Sequence, residues 1–324
     1  MRTARIDPHR RNMLGGFACL AAGALLPPCC LSNTARAAGA ELALVELGDG
    51  VFTVQGVDEL TTPENRGAIA NLGVVVGVDA VAVIDSGGSL AEGEALLKAI
   101  KGVTAKPVRY LINTHMHPDH IFGNAAFRPT GATVVGHQNL PAALEARGAF
   151  YLQSFREQLG EKLMQGIEII PPALLVKDRL ELDLGGRKLE LRAWEAAHTD
   201  NDLTVLDTRT GALFAGDLVF LNHLPTLDGS LLGWMRQLDA LAAIGAKTVV
   251  SGHGPAPFGW PQALDAERRY FEVLATDLRK AIKDGVPLAE AVETAGLSER
   301  ANWALFDDYN GRNATAAYAE LEWE

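Results

Sequence analysis

Cysteine is nearly missing from this chain. Its three residues, Cys19, Cys29 and Cys30, all fall within the first 30 of 324 positions, which excludes a disulfide-stapled scaffold. Aromatic residues are also scarce, 6% against 48% hydrophobic overall. The apolar mass is therefore mostly aliphatic, which fits a sheet-and-helix enzyme and argues against a fibrous or disordered chain. Basic residues fall short of acidic ones, 29 against 40, for a formal charge of −11. A surface of that sign repels phosphate backbones, so nucleic acid is not an expected partner. A membrane span is not expected either. The apolar run at 13–26 rises only about 21 Å as a helix, short of the roughly 30 Å hydrocarbon core.

That run is read instead as part of a signal peptide over residues 1–37. Arg2, Arg5, Arg10 and Arg11 precede it, and Ala35-Arg36-Ala37 supplies a small-x-small cleavage pattern. The Arg10-Arg11 pair followed by Asn12, Met13 and Leu14 predicts a twin-arginine export signal and a periplasmic protein. Cleavage near Ala37 leaves 24 basic against 39 acidic side chains and no cysteine. The remaining metal-competent side chains are then His, Asp and Glu.

Residues 41–85 alternate Val- and Ile-rich runs with glycine breaks, which predicts a strand meander. A helix is expected at 90–100 and a buried strand at 108–113, with 114–120 as the loop at its C-terminal end. Further strands are expected at 132–135, 180–184, 188–194, 203–207, 212–215 and 248–251, and helices at 141–162 and 231–244. After Pro261 the pattern turns helical, with Leu264, Phe271, Leu274, Leu278 and Ile282 on one stripe. The expected organisation is a domain over 38–260 and a helical extension over 261–324 packed on it.

The chemistry concentrates in Thr114-His-Met-His-Pro-Asp-His120. Alternate residues of an extended stretch point the same way, so His115 and His117 can approach one ion. Asp119 and His120, past the turn at Pro118, can face a second. Packing three histidines beside an aspartate gains nothing without a cation, since burial penalises each of them. His198, Asp217 and His253 follow, each at a predicted strand end beside small residues. Five of the seven histidines after residue 37 belong to this set.

His-x-His-x-Asp-His, then a separate His, then Gly-Asp, then Gly-His-Gly, resembles the metallo-β-lactamase superfamily over about residues 45–256. The resemblance implies an α/β four-layer αβ/βα sandwich with two metals at one edge of its sheets. It implies that His115, His117 and His198 hold the first zinc, that Asp119, His120 and His253 hold the second, and that Asp217 bridges both. Asp85 matches a structural aspartate of that family. Iron or manganese also accepts such ligands. Asp217 stands where one subclass of zinc β-lactamases has cysteine, and His117 stands where flavodiiron reductases have glutamate. Both branches are thereby disfavoured. The segment 197–203, Leu-Asp-Gly-Ser-Leu at 227–231 and the ending Glu-Leu-Glu-Trp-Glu resemble a narrower branch, the periplasmic quinoprotein-relay zinc metallohydrolases, relatives of hydrolases of sulfur-oxidation clusters. That likeness implies a functional link to a periplasmic quinoprotein dehydrogenase.

The implied activity is hydrolysis of a small-molecule acyl substrate (ester, lactone, lactam or thioester) by a metal-activated hydroxide, with Asp119 and Asp217 as catalytic carboxylates. A mononuclear iron oxygenase of the same fold and a non-catalytic accessory protein are the alternatives. Substrate-facing candidates are His223, Asp228 and Ser230 in the loop after Asp217. His223 is read as either a substrate contact or a surface loop residue, and Asp228 also as a cap for the following helix. The loop at 58–66 is expected over the substrate, and His137 is expected to be structural.

Overall fold

Val81, Ala82, Val83 and Ile84 form a strand buried along its whole length. Successive side chains of a strand point to opposite faces, so both faces of its sheet must be covered. That requirement generates the architecture. The computed structural model describes residues 42–324, all within one compact unit. The signal-peptide reading and its cleavage site lie outside the described residues.

The first half of the chain supplies β1 (Val45–Gly48), β2 (Val51–Val54), β3 (Leu72–Val76), β4 (Val81–Ile84), α1 (Leu90–Val103), β5 (Val108–Ile112), α2 (Pro118–Ile121), β6 (Thr133–His137), α3 (Leu140–Leu159), α4 (Glu161–Met164) and β7 (Leu174–Val176). The second half supplies β8 (Arg179–Asp183), β9 (Lys188–Ala193), β10 (Leu203–Asp207), β11 (Ala212–Phe220), α5 (Leu231–Ala242), β12 (Thr248–His253), β13 (Phe258–Gly259), α6 (Asp265–Lys283), α7 (Leu288–Thr294) and α8 (Phe306–Leu321). One sheet runs β1 to β7 in sequence order, and the other runs β13-β12-β11-β10-β9-β8. Pairing is antiparallel through β4 and parallel from β4 to β7. In the second sheet β11 and β12 run parallel.

Ala82 and Ile84 face inward with Val51, Val75, Ile112 and Val135, against Leu189, Leu191, Val205 and Phe214 of the other sheet. Val81 and Val83 face outward and meet Leu96, Leu97 and Ile100 of α1. The outer face of the second sheet (Leu213, Ala215, Val249) is covered by Trp234 and Leu238 of α5, Phe271 and Leu274 of α6, and Ala314 and Ala317 of α8. Two sheets between two helical layers is the expected sandwich, with the C-terminal helices in its outer layer. Far from any histidine, Arg187 bonds Asp207 through two 2.8 Å contacts and donates to the backbone carbonyls of Asp49 and Val76. This fully buried guanidinium ties the β8–β9 turn to the first sheet.

Three elements depart from the sequence reading. The helix expected at 141–162 breaks into α3 and α4 at Gly160, whose φ of 79° and ψ of 159° suit glycine alone. The loop expected at 114–120 ends in the helical turn α2, with Pro118 at its first position, where a missing N–H costs nothing. The strand expected to stop at Ala215 runs on to Phe220, because Gly216 marks a bulge in the ladder and not a break. No helix among the described residues is long and apolar enough to cross a membrane.

One buried group stands out beneath β11. Glu267 on α6 is fully buried, and neither carboxylate oxygen has a partner in hydrogen-bonding geometry. Burial pushes its carboxyl well above the ordinary value of 4.5. A raised folded-state pKa costs nothing below the unfolded value, and the cost grows as pH climbs from there towards the folded value. Glu267→Gln therefore stabilises the fold, by about 1–3 kcal/mol at pH 8, with a smaller gain at pH 5. Thermal unfolding of both proteins at the two pH values checks this.

Candidate metal centre

The chemistry-bearing residues gather where parallel strands of both sheets end. Asp85 follows β4, His115 and His117 follow β5, and Asp119 and His120 sit on α2. The second sheet contributes His198 from the β9–β10 turn, Asp217 from within β11 and His253 at the end of β12. The β11–β12 register shifts between Gly216 and Phe220, and this bulge turns Asp217 towards the histidines. Only glycine fits at position 252, because a Cβ there would lie 1.9 Å from Asp217 Oδ1.

Two groups of ligand atoms result. His115, His117, His198 and Asp217 form one, and Asp119, His120 and His253 form the other. Within each group the ligand atoms lie within 4.8 Å of one another. Asp217 stands between them. Its Oδ2 is 3.7 Å from His115 Nε2, 3.4 Å from His198 Nε2 and 3.4 Å from His253 Nε2, while its Oδ1 is 3.1 Å from His120 Nε2. Asp119 Oδ2 lies 3.4 Å from His120 Nε2 and 3.3 Å from His253 Nε2. All seven sequence candidates for ligands are thus brought together.

The outward nitrogen of each ring fixes its tautomer. His198 Nδ1 donates to the Thr226 carbonyl at 2.6 Å, and His253 Nδ1 donates to the Ile69 carbonyl at 3.0 Å. His120 Nδ1 donates to Asp85 at 2.8 Å, and His117 Nε2 donates to Asp228 at 3.1 Å. Thr114 gives its hydroxyl proton to Asp85, so its oxygen is left to accept from His115 Nδ1 at 3.1 Å. In a neutral ring with one nitrogen donating, the other carries a bare lone pair. With all five rings neutral, as metal binding requires, five such lone pairs point into one space. His115 Nε2, His117 Nδ1 and His198 Nε2 face each other at 2.9–3.3 Å, where neutral lone pairs repel. His120 Nε2 and Asp217 Oδ1 are buried without a hydrogen-bond partner. Divalent cations satisfy every one of these atoms, and the donor set fits them.

Titration follows the same logic. Burial, reinforced by the neighbouring His120 ring, holds His115 well below an ordinary imidazole, and burial takes His198 to about 3. Burial alone would raise Asp119 and Asp217, yet the surrounding imidazoles hold both well below the ordinary carboxylate range. Against burial, Asp217 with Asp119 draws His253 up to about 10 and His120 well above an ordinary imidazole, so a proton competes with a cation for the inward nitrogens of these two rings. The carboxylates take positive charge from whatever lies nearest.

The remaining candidates fall in varied places. His223 is not a surface loop residue. It is buried, its Nδ1 donates to the Leu224 carbonyl, and its ring lies between His253 and Tyr309. The helix cap expected of Asp228 belongs to Ser230, whose hydroxyl accepts from Gly233 N–H at 2.8 Å. Asp228 faces the other way, accepting from His117, Arg147 and Arg312. Ser230 also bonds Glu320 and does not line the cleft, whereas His223, Asp228, Leu60 and Thr61 do. His137 accepts from Asn139 N–H, away from the centre. Arg147, Tyr309 and Arg312 line the cleft without any sequence signal. From α8, Asn313 accepts from Leu227 N–H and donates to the Pro225 carbonyl, holding the segment that carries Thr226.

Asp85, at φ +58°, accepts from Thr114 N–H, from Thr114 Oγ1 and from His120. Asn tolerates that backbone but brings only one acceptor oxygen. Asp85→Asn is expected to fold and to lose about 10- to 100-fold in metal affinity, measured by competition with a chromophoric chelator.

The family model for the metallo-beta-lactamase superfamily matches residues 66–253. A metallo-beta-lactamase from Pontibacter korlensis aligns with a TM-score of 0.57 at 21% identity, over 71% of this chain and 99% of its own. One from Hirschia baltica gives 0.55 at 20%, over 71% and 96%. The stereoselective inverting sec-alkylsulfatase Pisa1 from Pseudomonas sp. gives 0.66 at 16%, over 86% of this chain and 50% of its own. These structural likenesses speak to the fold. With the family match covering more than half of the sequence, and with His and Asp side chains positioned for metal ions in the two-sheet sandwich, the chain belongs to the metallo-beta-lactamase superfamily.

Proposed function

We propose that the protein is a binuclear zinc-dependent hydrolase acting on a small acyl compound, in the manner of the quinoprotein-relay metallohydrolase branch. The observation that carries this reading is the set of five tautomer-locked imidazoles and two carboxylates whose bare atoms meet in one buried space. When bound, two divalent cations lower the pKa of a shared water towards neutrality and polarise the substrate carbonyl. His115, His117 and His198 would hold one ion, His120, Asp119 and His253 the other, and Asp217 would contact both. Nitrogen and carboxylate donors without thiolate suit zinc, and also iron or manganese.

The chain's own groups supply the rest. Asp119 lines the cleft beside His117 and is the carboxylate of its set. It is placed to orient an attacking water and to pass a proton to the leaving group. Its carboxylate is only slightly exposed, so bulk water competes little for that proton. His223 and Tyr309 line the cleft as a pair of rings in contact. The sec-alkylsulfatase likeness extends the list of leaving groups worth testing to sulfate esters. The export signal read in residues 1–37 and the lack of cysteine after residue 30 support work in an oxidising compartment.

The purified protein is expected to carry close to two zinc ions and to turn over at least one member of a panel of esters, lactones, thioesters, lactams and sulfate esters. One iron per chain with oxygen uptake overturns the reading. Asp217→Ala is expected to lose metal and turnover together, by at least about 10²-fold in kcat, and retention of both removes the bridging role. His223→Ala is expected to raise KM more than it lowers kcat.

A further inference from the structure

The mouth of the cleft carries a charge arrangement that holding metal does not require. A cleft of about 690 Å³ opens from the centre, and its basic lining residues are Arg147 of α3 and Arg312 of α8. Both bond the one carboxylate of Asp228, Arg147 at its Oδ2 and Arg312 at its Oδ1 at 3.1 Å. Asp228 also accepts from His117, so a single carboxylate serves two guanidiniums and an imidazole. Within this hydrogen-bonded set one positive charge is left over, with Asp200 the further carboxylate that acts on Arg147. The Arg147 side chain is 36% exposed and that of Arg312 is 52% exposed. A guanidinium has five N–H donors, and among the described residues Asp228 is the one hydrogen-bond partner of each. The unused donors open to the cleft and to solvent.

The wall beside them is apolar. Phe150 is 63% exposed and Leu60 is 41% exposed, and both line the cleft with Phe155 and Tyr151. The Arg147 guanidinium lies over the Tyr151 ring, 5.4 Å from its centroid, a cation–π contact that ties it to that wall. Arg312 approaches from α8, beyond the 66–253 span of the family match. Forked guanidiniums suit planar, bidentate anions.

We propose that Arg147 and Arg312 form an anion clamp that selects the substrate. The compound hydrolysed at the centre then carries, besides its scissile acyl bond, a carboxylate-like anionic group on an apolar body. This deepens the hydrolase reading and rests on it for the scissile bond.

The test uses the metal-loaded full chain and two esters that differ by one charge: the 4-nitrophenyl monoester of adipic acid and its methyl ester. Binding of hexanesulfonate, followed by calorimetry, supplies a readout independent of turnover. The wild type is expected to favour the anionic ester in kcat/KM by roughly 10- to 100-fold. That preference should shrink as salt is raised. In Arg147→Gln/Arg312→Gln the ratio of the two kcat/KM values is expected to fall towards one with metal content kept, and hexanesulfonate affinity is expected to fall at least tenfold. Arg209→Gln, an exposed partner of Asp49 outside the cleft lining, should preserve the ratio. Hexanesulfonate binding that depends on the arginines, without turnover of either ester or of any member of the panel above, keeps the clamp and removes the hydrolase reading. Turnover with a wild-type ratio near one, or a ratio unchanged in the double variant, overturns the clamp alone. Loss of metal with equal loss for both esters overturns it as well, because the arginines would then be supports of His117. Neither turnover nor sulfonate binding overturns it too.

Discussion

Uncompensated electron density is the constraint on which the rest of this molecule depends. Five imidazole nitrogens and two carboxylates meet in one largely buried space at the head of the cleft, and each ring turns an outward N–H to an acceptor behind it. Desolvated donors at this density repel one another strongly in a medium of low dielectric. Positive charge brought into that space, whether a proton or a divalent cation, offsets the cost. The backing acceptors (Asp85, Asp228, Thr114 and the carbonyls of Ile69 and Thr226) matter as much as the ligands, since they decide which nitrogen faces inward.

The two sheets divide the labour. The first contributes the dense loop from His115 to His120, and the second contributes His198, Asp217 and His253. The centre therefore forms only once the inner faces have docked through residues such as Ile84, Ile112, Val205 and Phe214. Packing and function share one interface, and the buried Arg187–Asp207 link at a distance from the histidines helps to fix the same register.

Much of this was legible in the sequence, for reasons specific to particular residues. The Val- and Ile-rich runs up to residue 85 announced the strand meander that holds β4, the density of the 115–120 cluster marked four of the ligand candidates, and small neighbours at predicted strand ends marked His198, Asp217 and His253. Asp217 was found although its strand was read too short, because Gly216 looked like a stop and is a bulge. What stayed hidden depends on contacts between distant segments. Asp228 looked like a cap because a helix follows it closely, yet Ser230 is better placed by two residues to reach the Gly233 N–H. The true partners of Asp228 lie 81 and 84 residues away, in Arg147 and Arg312. Spacing along a chain cannot reveal such a meeting. His223 hid for a similar reason, since burial beside Tyr309 requires the C-terminal helices to arrive.

Those helices have a consequence for how this chain can be cut or recombined. Asn313 steadies residues 225–227, and the Thr226 carbonyl in turn steers the ring of His198. A fragment ended at residue 253, where the family match stops, would keep all seven candidate ligands and lose the strut behind one of them. The tail is thus a distant member of the coordination apparatus. A lineage that trades it for another must find a new brace for that histidine at the same time.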